Sequence, residues 1–119
     1  MDNKLISQIA VCYTFLLILF SLIPVPEFNI YRFKFIQIDK LIHFIIYLIL
    51  AIIWGLKIEN FSKRKIEIST YLILFGLSLE ILQHVLPFRR YFDLGDFVAN
   101  SIGVLFGVFI LYYLKKKLL

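Results

Sequence analysis

Lys40, His43 and Tyr47 stand three and four positions apart, the spacing that stacks side chains on one face of a helix. Gly76, Glu80, Gln83 and Pro87 repeat that spacing, as do Asp96, Asn100, Gly103 and Gly107, and Arg89 and Arg90 fall between these two groups. The chemistry on offer is recognition of phosphate and hydroxyl groups. A guanidinium fork binds phosphate oxygens two at a time and an ammonium supplies a point charge, while carboxylates and amides accept from hydroxyls. Lys40, His43, Tyr47, Glu80, Gln83, Arg89, Asp96 and Asn100 are therefore the expected site, and lipid headgroups are ligands that present both groups together.

Glu80 is the most informative of these residues. It falls well inside an apolar run, where a carboxylate costs about 2.5–3.5 kcal/mol unless it meets a partner, so it is expected to face other helices and pair with a cation or amide. Each residue also has a plainer reading. Glu80 serves equally as a salt bridge that fixes packing, His43 as an interfacial histidine, and Tyr47 and Trp54 as packing aromatics. Asp96 serves equally as a helix N-cap, and Asn100 as a donor between helices.

An enzyme reading draws on the same groups, with Glu80, His43 and Asp96 as acid, base or metal ligands of a phosphoesterase or transferase acting on lipids. Ser78 and Ser101 have no base one turn away, and no ligand spacing such as His-x-x-x-His occurs. Neither a nucleophile, a metal nor a cofactor is assigned. Cys12 is the only cysteine, which excludes a disulfide framework.

Composition dictates the elements that position these residues. The 119-residue chain is 61% hydrophobic with a mean hydropathy of +0.89, against about 45–50% apolar residues in soluble domains. Its apolar runs predict helices at about 5–23, 40–56, 66–86 and 96–114, each near the length of a membrane crossing. Pro24 and Pro26 close the first, Asp39 is the expected N-cap of the second, Pro87 closes the third, and Lys115, Lys116 and Lys117 stop the fourth. The first run exceeds the about 7–15 residues of a signal-peptide core, and no small-x-small cleavage site follows it. Backbone amides in hydrocarbon must pair within their own segment, and these runs lack the alternation of barrel strands. The expected fold is all-α, a single domain forming an integral membrane bundle of four transmembrane helices.

With four spans, both termini share a side with the stretch 57–65. That side carries eight basic residues, Lys4, Lys57, Lys63, Arg64, Lys65, Lys115, Lys116 and Lys117, against Arg32, Lys34, Lys40, Arg89 and Arg90 on the other. The positive-inside rule then predicts cytoplasmic termini and a polar site on the outer face. The net charge of +5 is thus a topology signal, and no nucleic-acid partner is expected. Gly103-x-x-x-Gly107 is a close-packing face that serves either within the chain or in a homo-oligomer.

Several of these groups also form a family pattern. Asp39-Lys40-x-x-His43-Phe44-x-x-Tyr47, Glu80-x-x-Gln83, Pro87-x-Arg89 and Asp96-x-x-x-Asn100-x-x-Gly103-x-x-x-Gly107, preceded by Ser21-x-x-Pro24, resemble VanZ-like proteins over nearly the whole chain. The resemblance implies a four-helix protein of the bacterial cytoplasmic membrane, in a family whose namesake gives low-level resistance to the glycopeptide teicoplanin. It implies no assigned catalytic activity. Teicoplanin's target is a lipid-linked precursor, so the partners expected are membrane lipids, with a polyprenyl-linked cell-wall precursor foremost.

Overall fold

The computed structural model describes residues 3–22, 32–85 and 94–118. Four helices account for nearly all of them: α1 (Asn3–Leu22), α2 (Arg32–Lys57), α3 (Phe61–Val85) and α4 (Leu94–Leu118), with no strand among the described residues. All four are long and apolar enough to cross a membrane, so the chain is a multi-pass membrane protein of all-α class. Its 50 Å length suits a bilayer of about 40–45 Å including headgroups. Large side chains such as Phe15, Phe20, Ile66 and Phe109 are exposed, as lipid requires and water would not tolerate.

The helices outrun the apolar stretches that announce them. α2 begins at Arg32 rather than near residue 40, because the apolar window measures the membrane crossing and not the helix, and no proline or glycine interrupts 32–54. Asp39 consequently lies in the third turn of α2 and is not its N-cap. α3 begins at Phe61, and α4 continues through Lys115, Lys116 and Lys117, which end the hydrocarbon span while remaining good helix formers. Between α2 and α3 the chain reverses over 58–60. Asn60 adopts φ 56°, a left-handed value that asparagine tolerates, and its carbonyl accepts from Lys63 N at 3.0 Å and Arg64 N at 3.1 Å to start α3.

α2 and α4 run in parallel, and residues about 56 apart in sequence face each other along their length. Glycines set this approach. A Cβ on Gly107 would stand 2.9 Å from the Ala51 Cβ, and one on Gly103 would meet the Phe44 carbonyl oxygen. The glycine pair thus packs helices within one chain. α1 packs on α2 and α3 without reaching α4. The buried core gathers Tyr47, Leu50 and Ala51 of α2, Ile68 and Leu79 of α3, and Val104, Val108 and Leu111 of α4. On the face that holds the termini, Lys65 lies over the Tyr112 ring at 4.6 Å and Lys115 over Phe61 at 5.2 Å, a basic and aromatic rim suited to a headgroup layer.

Candidate functional site

The polar residues collect at the face opposite the termini, where α2 and α4 begin and α3 ends. In the first turn of α4, Asp96 is buried, with a carboxylate favourably placed against the helix dipole. One of its oxygens lies 3.4 Å from Lys40 Nζ and the other 3.7 Å from His43 Nε2. One turn deeper, His43 Nδ1 lies 2.9 Å from Asn100 Oδ1. An amide oxygen only accepts, so Nδ1 carries the proton, and in the neutral ring Nε2 turns its lone pair toward the carboxylates. Asp39, one turn before His43 on α2, brings Oδ1 to 3.5 Å from the same Nε2.

Deeper in the bundle, Tyr47 is buried between α2 and α3. Gly76 makes room for its ring, since a Cβ there would stand 3.1 Å from Tyr47 Cε2. Glu80 is 1% exposed, faces the bundle interior and lies within electrostatic range of the Tyr47 phenol. Gln83 is also buried, and its side-chain amide donates to the Ser21 carbonyl at the end of α1. Carbonyls in the last turn of a helix have no acceptor role within it, so this bond ties α3 to the end of α1. Tyr13 adds a second tie from α1, donating its hydroxyl to the Ile46 carbonyl at 2.6 Å.

These ties leave a cavity of about 410 Å³ among α1, α2 and α3, within the usual span of small-ligand pockets. Leu16, Leu17, Phe20, Ile42 and Ile46 make an apolar wall, while Asp39, His43, Tyr47, Gln83, Ser21 and Tyr13 add polar groups. Leu16, Phe20 and Ile42 are also exposed on the outside of the bundle, so the wall is continuous with the lipid-facing surface.

Of the eight residues expected from spacing, His43, Tyr47 and Gln83 line this cavity. Lys40, Asp96 and Asn100 form the α2–α4 layer beside it, joined to it through His43. Glu80 is brought to the same end of the bundle but is not among the lining residues. Arg89 lies outside the described residues. Sequence reasoning missed Tyr13, an aromatic in an apolar run with nothing to set it apart, and cast Asp39 as a cap. The signal for Asp39 was its i, i+4 spacing to His43.

No curated protein and no solved structure matches the chain. A family model described as VanZ/LLP1 matches residues 3–116, taking in all four helices and the motif residues that gather at one face. By that coverage the chain belongs to the VanZ/LLP1 family.

Proposed function

We propose that this membrane protein recognises an anionic lipid at the face opposite its termini, with a polyprenyl diphosphate-linked envelope precursor as the first choice of ligand. The observation that carries the reading is the cavity whose hydrocarbon wall is shared with the lipid-facing surface and whose other lining groups are polar. An isoprenoid chain fits the first feature, and a phosphorylated headgroup fits the second. Lys40 supplies a cation beside the cavity, and Arg89, matching the family's Pro-x-Arg pattern, is the guanidinium expected to reach the phosphate. The excess of basic residues on the terminal side supports cytoplasmic termini and, with them, a site on the outer face of the bacterial cytoplasmic membrane. There, binding shields or relocates the precursor without reaction, which would lower the amount available to a glycopeptide such as teicoplanin.

Native mass spectrometry of the full chain extracted from its membrane tests the reading. Retention of polyprenyl phosphate or diphosphate is the expected result. Retention of bulk phospholipid alone removes the precursor as ligand, and conversion of an added polyprenyl diphosphate to a smaller product replaces recognition with catalysis.

A further inference from the structure

Two carboxylates beside a site for an anionic headgroup present a conflict of sign. Asp39 and Asp96 bring two carboxylates to the His43 ring, with Lys40 against one of them, and the ring in its Nδ1–H form is neutral. Phosphate oxygens approaching Nε2 of His43 would meet carboxylate oxygens first. A divalent cation reverses the local field and gives both sets of oxygens a common partner.

We propose that Asp39, His43 and Asp96 hold a divalent metal ion whose remaining coordination positions face the lipid phosphate. The ion site stands on side-chain geometry, whereas its role as a bridge rests on the lipid reading above. One oxygen of each aspartate and one histidine nitrogen all lie within 4.8 Å of one another. The two separations from Nε2, 3.5 and 3.7 Å, exceed the about 2.7–3.2 Å of an N–H···O bond. They approach instead the about 3.0–3.6 Å expected between ligands held about 2.0–2.2 Å from one shared ion. Small side-chain rotations of Asp39 and Asp96 complete the contraction.

The surroundings fit the same assignment. Asp39 and His43 offer two ligands from adjacent turns of one helix, and Asp96 comes from a helix whose position against α2 is set by backbone contact at Gly103 and Gly107. Asn100 accepts the Nδ1 proton, as carbonyl and carboxylate partners of metal-bound histidines do, which fixes the ring and leaves Nε2 to bind. Lys40 engages Oδ1 of Asp96, and the other oxygen of that carboxylate, Oδ2, is the one that faces Nε2. One imidazole nitrogen and two carboxylate oxygens suit Mn2+ or Zn2+, with positions left for water or phosphate. The competing state is an imidazolium held between two carboxylates without any ion.

Full-length, tag-free protein in detergent, stripped with a chelator and titrated with Mn2+, separates the two by the paramagnetic resonance signal of the free ion. The expected result is one Mn2+ bound per chain and displaced by Zn2+. Asp39→Asn and His43→Gln should each weaken binding at least about tenfold, and Asn100→Leu about 10–100-fold through loss of the orienting bond. Glu67→Gln and His84→Gln, outside the cluster, should leave it unchanged, with circular dichroism confirming that every variant is folded. A folded wild-type chain that takes up neither Mn2+ nor Zn2+ overturns the site, and equal losses from the outside substitutions do the same. Retention of a polyprenyl diphosphate is then compared with and without chelator. Retention that ignores the chelator removes the bridge alone, while ion uptake without any lipid retention removes the lipid reading and leaves the ion site standing.

Discussion

Gly107 lies so close to the Leu48 carbonyl that a Cβ at this position would stand 2.5 Å from the oxygen. The obstructing atom is backbone, so no rotamer change relieves it, and the helices must part. Replacing glycine by alanine in a helix interior gains about 1 kcal/mol of propensity, against about 1–3 kcal/mol for overpacking. Parting α2 from α4 also weakens the Lys40–Asp96 and His43–Asn100 contacts, so loss wins. Gly107→Ala should therefore lower stability by about 1–2 kcal/mol in reversible unfolding followed by circular dichroism. Because this face packs within one chain, the loss should not depend on protein concentration. A transition raised by the full propensity gain of about 1 kcal/mol would mean that α2 and α4 are not in backbone contact.

Trp54 and Thr14 join α2 to α1 through an indole N–H donated to Oγ1 at 2.9 Å, while the threonine hydroxyl donates to the Ala10 carbonyl at 2.8 Å. Hydrogen bonds between membrane helices contribute about 0.6 kcal/mol on average and rarely above about 1.7. A double-mutant cycle of Trp54→Phe and Thr14→Val should return a coupling of that size. Additive single effects would show that the bond contributes nothing.

Gln83 matters to α1 in a different way, because it supplies a donor to a helix-terminal carbonyl. Gln83→Leu fills the same space and removes this donor from the Ser21 carbonyl, at a cost of about 0.5–1.5 kcal/mol. The signature should be local. Amide exchange should rise in the last turn of α1 and stay unchanged in α4, whereas uniform acceleration would indicate global destabilisation instead.

The four crossings and the polar face were legible in the sequence because hydropathy and i, i+4 spacing each carry their own physical cause. Apolar length reports what lipid will accept, and one-turn spacing reports what shares a helix face. Lys40, His43, Asp96 and Asn100 were found this way, and they do meet. Helix ends were less legible, since Arg32 and Lys117 lie on helix that extends past the hydrophobic windows. The cavity was not legible at all. It arises from how α1 leans on α2 and α3, a packing outcome that Tyr13 and Ser21 do not announce one by one. Glu80 shows the limit between the two cases. Its burial followed from the cost of a carboxylate in lipid, but its neighbour Tyr47 came from helix arrangement, with Gly76 making the space.

Orientation is tested by labelling in a Cys12→Ser background, which removes the only native thiol. Leu94 and Glu59 are exposed at opposite ends of the bundle. With eight basic residues on the terminal side against five, Leu94→Cys should react with an impermeant maleimide in intact cells and Glu59→Cys only after permeabilisation. The reverse pattern would put the polar face in the cytoplasm.

Leu16 offers the sharpest test of the cavity, because it lines the space and is also half exposed to lipid, at 50%. A larger side chain there can swing into the cavity or stay in the bilayer, so the overpacking cost of about 1–3 kcal/mol that a closed core would suffer should be largely avoided. Leu16→Trp should thus keep its unfolding transition within about 1 kcal/mol of the parent while occupying room that an isoprenoid chain would need. Lipid retention should fall several-fold in native mass spectra, with Phe109→Trp, on the lipid-facing side of α4, as the control that does not lower it. The control matters because tryptophan favours the membrane interface wherever it is placed. Equal retention in both variants would mean that the lipid does not enter the space among α1, α2 and α3, and the polar face would then have to be read without a chain-binding cavity.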